Sequence, residues 1–289
     1  MKVKKGDNMK RTIDSITHTY KLHNEDIYGI TEHSYWILDG ALSLNKSKFT
    51  DGSSDVVWMV KWWQNYLKEH INQVDKSIIT ILEEGMEGLN HAFSKFANME
   101  DLSKLDRASA GIAIVRINKE TVESFVLGDV EINIKRKDRG IKTLVDEKIE
   151  KFDGKVMDMI FNNPNRENEI AFNNYTSDEL QILREHRMKM NATDGYYILE
   201  HDVMAIRNGI YEEYPLEDVK EILMMSDGFS SIYNKYKQLS CEALFKKCKI
   251  DGVKSVLKTI REIEENDPDL KIHKRLRKHD DATAIYISQ

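Results

Sequence analysis

The sequence predicts an α+β protein built as a layered sandwich, with β-sheets inside and α-helices outside. The predicted elements follow the order strands, two long helices, strands, an irregular segment, a strand, helices and a last strand. This order does not repeat a βαβ unit, so a layered sandwich fits it better than a doubly wound parallel sheet. Apolar runs lie at 35–38, 222–225 and 282–287, and the first is continuous rather than alternating, as in a strand that is buried on both faces.

The N-terminal half contains both predicted long helices. Residues 12–40 predict two strands around a loop, and Ser53 or Ser54 then provides an N-cap for a helix. A second helix is predicted over about 76–97, where apolar residues recur at helical spacing. The strands that follow are predicted at 108–117, 122–127 and 131–136, with residues 118–121 as a hairpin turn between the first two.

The C-terminal half begins with the least regular part of the chain, residues 140–215. One helix is predicted there, because Thr176 and Glu179 have the spacing of a capping box. The remaining predicted elements are a strand at 219–225, helices at about 241–248 and 252–264, and the terminal strand.

Composition narrows the function classes. The chain has 289 residues with 40% hydrophobic content, enough for a sizeable core. Its net charge of -6 argues against a protein that depends on non-specific binding to nucleic acid. No apolar run approaches the ~18 residues of a membrane helix, and no signal-peptide core follows the basic N-terminus, so no membrane association is expected. Cys241 and Cys248 form no CxxC pair, which fits a reducing, cytoplasmic location.

Acidic residues at the ends of apolar runs are the main functional signal. Asp39 and Asp227 each end such a run, and Asp280 lies just before the last one. A buried carboxylate costs several kcal/mol unless it is paired, and a hard divalent cation is the natural partner if these three meet. Gly40 and Gly228 would let the backbone approach the bound group closely. Turn or capping carboxylates are the alternative interpretation.

The motifs together resemble the metal-dependent serine/threonine protein phosphatases of the type 2C family. The matching segments, in the family's order, are Lys21-Leu22-His23-Asn24-Glu25-Asp26, Trp36-Ile37-Leu38-Asp39-Gly40, Ser109-Ala110-Gly111 with Leu127-Gly128-Asp129, Met225-Ser226-Asp227-Gly228 and Asp280-Asp281-Ala282-Thr283. Each motif alone is weak evidence, but their shared order over nearly the whole chain is specific. The resemblance implies a central sandwich of two mostly antiparallel sheets flanked by helices. It also implies one catalytic domain over 1–289, with a flap-like insertion within about 140–215.

The resemblance also implies a metal centre with two Mn²⁺ or Mg²⁺ ions. Asp39 would bridge the ions, the Gly40 carbonyl would bind one, and Asp227 and Asp280 would complete the shell of the other. Glu25 and Asp26 would hold metal-bound waters or support the shell. In bacterial members a weaker third ion is bound, which Asp129 would hold together with Asp227. A solvated loop is the alternative for Glu25 and Asp26.

Two of the departures from the family pattern bear directly on catalysis. Lys21 stands where the family usually has a phosphate-binding Arg, and a lysine offers a point charge instead of a bidentate fork. We still expect Lys21 to help to hold the phosphate, with a plain surface lysine as the alternative. Ala41 stands where many members have a His proposed as general acid, a loss that typically costs about 10²–10⁴-fold in rate. The basic run 271–279 would either steer phosphorylated substrate or form a solvated loop.

The predicted function is hydrolysis of phosphoserine or phosphothreonine in proteins, with a water between the two metal ions attacking phosphorus. A phosphorylated protein is therefore the expected partner, and a cognate serine/threonine kinase is a candidate second one. Ala41 and Lys21 leave open a regulatory pseudophosphatase that binds a partner without turnover. A phosphohydrolase of the same fold that acts on a small phosphorylated metabolite is the third possibility.

Overall fold

The computed structural model describes residues 11–162 and 175–288. The strands are β1 (Thr12–His18), β2 (Ile27–Ile30), β3 (Ser34–Ala41), β4 (Ser109–Ile117), β5 (Thr121–Leu127), β6 (Glu131–Arg136), β7 (Ile141–Leu144), β8 (Ile210–Pro215), β9 (Val219–Met225) and β10 (Ala282–Ser288). The α-helices are α1 (Asp55–His70), α2 (Ile78–Phe93), α3 (Lys148–Asn162), α4 (Ser177–Met188), α5 (Val203–Arg207), α6 (Asp227–Asn234), α7 (Cys241–Asp251) and α8 (Val253–Glu265).

The strands form two five-stranded sheets. Sheet 1 has the order β1-β10-β9-β6-β7, and sheet 2 has the order β2-β3-β4-β5-β8. Every ladder between these strands is antiparallel. The predicted fold class is therefore confirmed.

Alternation along β3 explains how the layers stack. Trp36 and Leu38 pack against α1 and α2, whereas Tyr35 and Ile37 face sheet 1 across the sandwich. All four side chains are at most 1% exposed, which is why this strand is apolar without a break. On the outer face of sheet 1, residues such as Met225 pack against α6, α7 and α8. The order of layers is helix, sheet, sheet, helix.

The first helix shows how the sequence places the outer layer. Ser54 caps α1, because its side chain accepts a hydrogen bond from the Val57 N–H. Trp63 is fully buried, while Trp58 and Trp62 are partly buried and pack against the same core. The amphipathic spacing thus turns one side of α1 towards sheet 2.

The segment 140–215 contains the predicted helix and several unpredicted elements. The capping box of α4 is present: the Thr176 N–H donates to Glu179 Oε2 at 2.9 Å, and the Glu179 N–H donates to Thr176 Oγ1 at 3.3 Å. The unpredicted elements in this segment are β7, α3, α5 and β8. Residues 163–174, which the predicted flap would include, lie outside the described residues.

Two other elements were also missed, β2 and α6. The strand β2 lies inside what the sequence predicts as a loop, and α6 begins at Asp227 itself. In the part of the chain that the structure describes, no helix has the length and apolar character needed to cross a membrane.

Candidate functional site

Strand register brings the predicted acids to one end of the sandwich. In sheet 2, Asp39 pairs with Gly111 of β4, and Asp129 follows the end of the neighbouring strand β5. A Cβ atom on Gly111 would lie 3.1 Å from Asp129 Oδ1, so this glycine makes room for the carboxylate. In sheet 1, the end of β9 lies beside the start of β10, which brings Asp227 close to Asp280.

Asp39 lies where the fields of the other acids overlap. Burial raises the pKa of Asp39 well above its ordinary value, and the charges of Asp26, Asp227, Asp129 and Asp280 raise it further. The backbone N–H of Asp227 also donates to Asp39 Oδ2 at 3.4 Å, a contact between the two sheets. The three strand-end aspartates therefore meet, and they meet together with Asp26 and Asp129.

Asp26 is a deeply buried acid of the cluster. Its residue is 4% exposed, and neither carboxylate oxygen makes a hydrogen bond of ordinary geometry with a described residue. Burial, and after it the charge of Asp281, raises the pKa of Asp26 to about 7, although the nearby Thr283, Asp39 and Ser226 side chains oppose the shift. An unpartnered buried carboxylate costs several kcal/mol, so this donor set fits a hard cation.

Two glycines let backbone segments approach beside the acids. A Cβ atom on Gly40 would lie 2.5 Å from the backbone oxygen of Glu25, and one on Gly228 would lie 2.0 Å from the backbone oxygen of Asp281. Any side chain at either position would force these segments apart. Glycine is thus required at positions 40 and 228 by close packing at the site.

Basic side chains lie against the outer acids. Lys235 Nζ is 2.8 Å from Asp227 Oδ2, and Arg277 Nη1 is 2.7 Å from Asp280 Oδ1. Burial alone would raise the pKa of Asp227, but Lys235 outweighs it and lowers that pKa. Within the described residues, no three His, Cys, Asp or Glu side chains are already arranged to hold one metal ion. These ion pairs hold two of the predicted ligands instead.

Lys21 lies in the cluster, but two carboxylates hold it. Its Nζ is 2.6 Å from Glu25 Oε2 and 3.1 Å from Asp281 Oδ2. Asp281 is 3% exposed and also accepts hydrogen bonds from the Thr19 hydroxyl and the Glu25 N–H. Burial and Arg277 would lower the pKa of Lys21, but the acids around it raise it. The lysine therefore closes a polar network with its charge already compensated.

Sequence reasoning did not assign three residues of this site. Asp281 was part of a recognised motif but was given no role, and Arg277 was one residue of the basic run 271–279. Lys235 carried no signal, because it lies just beyond a helix that was not predicted.

Ala41 lies at the end of β3, paired with Ser109. The insertion contacts this edge through Arg187 of α4, which donates to the Leu42 carbonyl at 3.1 Å and to the Ser109 hydroxyl at 3.2 Å. Part of the insertion therefore lies beside the strand end that carries Asp39.

Comparison with known proteins identifies the family and the fold. The model of the family described as protein phosphatase 2C matches residues 18–262. Structures similar to this chain include the serine/threonine phosphatase PstP/Ppp of Mycobacterium tuberculosis, at 12% identity and a TM-score of 0.54 over 96% of this chain and 97% of that one. The serine/threonine phosphatase Stp1 of Staphylococcus aureus matches at 12% identity and a TM-score of 0.53, covering 97% of this chain and 94% of that one.

A third similar structure is PppA of Pseudomonas aeruginosa, described as a key regulatory component of T6SS, at 11% identity and a TM-score of 0.52 over 96% of this chain and 97% of that one. A search of curated protein sequences finds no match. At these identities the structures establish the fold alone. The family model covers most of the sequence, and the chain belongs to the protein phosphatase 2C family.

Proposed function

We propose that this protein hydrolyses phosphoserine and phosphothreonine in proteins, with two Mn²⁺ or Mg²⁺ ions bound among its clustered aspartates. The observation that carries the proposal is Asp26, a buried carboxylate without a hydrogen-bond partner among the described residues. It lies beside Asp39, whose pKa is raised by burial and then by four neighbouring aspartates. Family membership supports the same reaction class. The proposal also takes residues 1–289 as one catalytic domain.

The metal ligands proposed are those that the sequence motifs predict. Asp39 would serve both ions, the Gly40 carbonyl would serve one of them, Asp227 and Asp280 would serve the other, and Glu25 with Asp26 would support the shell. Asp129 with Asp227 would hold a weaker third ion. Such ions, when bound, supply Lewis-acid activation of water and of the phosphoryl oxygens. All proposed donors are oxygen atoms, which hard divalent ions prefer.

The chain's own residues would organise the substrate and the charge. Asp281 holds Lys21 and the Glu25 backbone, which fixes the loop carrying Glu25 and Asp26. Lys235 and Arg277 neutralise the outer carboxylates when no divalent cation is present. The buried acids Asp26 and Asp39 still experience the negative charges of their neighbours, and this repulsion favours the binding of cations.

A regulatory pseudophosphatase is the second candidate. It is favoured by Ala41, which offers no proton to a leaving serine alkoxide, and by Lys21, which is already held by two carboxylates. Against it stands the cost of the acidic cluster, which a protein without need of the ions has no reason to bear.

Hydrolysis of an aryl phosphate and of a phosphopeptide, each with Mn²⁺ and with EDTA, tests the proposal. We expect Mn²⁺-dependent turnover of both, lost in Asp39→Asn and retained in Asp51→Asn, which removes an exposed charge from the loop before α1. Mn²⁺ binding without turnover would favour the pseudophosphatase. Turnover of small phosphorylated metabolites but not of phosphopeptides would instead assign a metabolite phosphohydrolase.

A further inference from the structure

We propose that Arg277, rather than Lys21, is the basic residue that binds the phosphate group at this site. The inference rests on the proposed function, because it names the residue that would hold the phosphate of that reaction. It is carried by the contacts of the two side chains and by the loop that holds Arg277 in place.

Lys21 has little capacity left for a phosphate. Its Nζ contacts Glu25 Oε2 at 2.6 Å and Asp281 Oδ2 at 3.1 Å, and both carboxylates belong to residues no more than 6% exposed. To meet a phosphate, the ammonium group would have to leave one of them buried without its partner. Breaking a buried pair in this way is strongly unfavourable, so Lys21 is a structural cation.

Arg277 lies beside the same group of acids, and its carboxylate partner is more exposed to solvent than the two partners of Lys21. Its guanidinium donates to Asp280 Oδ1 at 2.7 Å, and Asp280, with weaker contributions from Asp227 and Glu25, raises its pKa. The side chain is 38% exposed, and that of Asp280 is 29% exposed. A phosphate arriving from solvent over the aspartates would therefore meet this guanidinium at the rim.

The loop before Arg277 is built around a buried ion pair. Arg275 Nη1 lies 2.6 Å from Asp267 Oδ2, and Arg275 also donates to the backbone oxygens of Glu264 and Asp267. The carboxylate of Asp267 accepts hydrogen bonds from three backbone N–H groups, those of Lys271, Ile272 and His273. Beyond Arg277, Arg261 donates to the Asp280 backbone oxygen at 2.8 Å. A backbone held on both sides loses less entropy when its side chain binds a ligand.

Other cations of the basic run have partners away from the aspartates. Lys271 pairs with Asp269, Lys278 pairs with Glu265, and Lys274 lies over the ring of Phe161. Among the cations of the basic run 271–279, Arg277 forms the ion pair with a predicted metal ligand, as far as the described residues show. Its planar fork suits bidentate binding of phosphate better than the single ammonium of Lys21.

The test measures binding of inorganic phosphate to the Mn²⁺-loaded protein by isothermal titration calorimetry, after Mn²⁺ affinity has been measured alone. We expect Arg277→Ala to weaken phosphate binding about 10–100-fold and Arg277→Lys to weaken it less, since one charge remains. Lys278→Ala, which removes a neighbouring exposed charge, is the matched control and should bind phosphate as the unsubstituted protein does. Lys21→Ala should lower thermal stability but change phosphate affinity less than about threefold, well below the loss expected at Arg277.

Phosphate binding by Arg277→Ala equal to that of the unsubstituted protein would overturn the inference. So would a larger loss in Lys21→Ala than in Arg277→Ala, or no phosphate binding by the unsubstituted protein. The proposed function fails separately, if the unsubstituted protein with Mn²⁺ hydrolyses no phosphoester. Phosphate binding that depends on Arg277 would still support the inference in that case.

Discussion

Replacing Asp26 by Asn should stabilise the metal-free protein at neutral pH while weakening its binding of Mn²⁺. The side chain is buried among acids, and burial raises its pKa from 3.8 to about 7. Asparagine has nearly the same shape without the charge, so the substitution removes the repulsion and leaves the packing. A substitution in a functional centre that raises stability would show that the centre is held at a cost.

The sign and the size follow from proton linkage. A carboxyl with a raised folded-state pKa binds more protons in the folded than in the unfolded chain between pH 3.8 and about 7. Stability therefore falls as pH rises through this window, and the loss is complete above it. A shift of about three units corresponds to about 4 kcal/mol. Neutralising one carboxylate also changes the protonation of its neighbours, which reduces the gain. We therefore expect Asp26→Asn to raise the free energy of unfolding by about 2–4 kcal/mol at pH 8 and by little at pH 4.

Urea unfolding in EDTA, measured from pH 4 to pH 8, gives this difference directly. Asp51→Asn is the control, since Asp51 is exposed in the loop before α1. With Mn²⁺ at about 100 times its Kd, the unsubstituted protein should gain about 2.7 kcal/mol and Asp26→Asn much less. A stability difference that does not change with pH, or a variant that is less stable at pH 8, would refute the reasoning.

Three further outcomes are expected. Burial, and after it Arg107, lowers the pKa of His201 to about 4. The contribution of neutral His201 to the free energy of unfolding should therefore be fully present above pH 6.5 and fall by up to about 3 kcal/mol towards pH 4. In urea unfolding, His201→Gln should show a flatter dependence of stability on pH. Ala41→His should raise the rate on a phosphopeptide at least about tenfold and barely change the rate on an aryl phosphate, in parallel steady-state assays. Lys235→Ala should bind Mn²⁺ up to about fivefold more tightly by calorimetry, because the cation 2.8 Å from Asp227 is removed.

The sequence predicted those parts of the fold whose signals are local. The run 35–38 and residues 222–225 of β9 are continuous apolar segments because both faces of the strands are buried there, so their pattern alone identifies them. The capping box of α4 was predicted because it needs only residues three apart, Thr176 and Glu179. By contrast, β2 is only four residues long and is stabilised as a strand by its pairing with β3. No local sequence pattern encodes this pairing.

The same distinction applies to the candidate site. Asp39 and Asp227 could be identified because each follows an apolar strand, but the cations around them could not. Lys235 follows α6 and Arg277 lies in the loop before β10, and the fold brings both side chains to the aspartates. In the sequence alone, each resembles an ordinary solvated cation. The role of Lys21 depends on Asp281, which is 260 residues away. Such pairings are set by the tertiary fold.

Buried ion pairs elsewhere in this chain show why the aspartate cluster is not simply another structural network. Glu123 is held by Arg116 through two hydrogen bonds, at 2.6 Å and 2.9 Å, and although burial opposes it this pairing lowers the pKa of Glu123. Around Asp39 the cations contact the outer carboxylates, whereas burial and then the charges of neighbouring acids raise the pKa values of Asp26 and Asp39. Glu123 is thus paired with a cation, whereas Asp26 and Asp39 have no ion pair with a basic side chain within the described residues. The proposed metal ions would supply positive charge at this position.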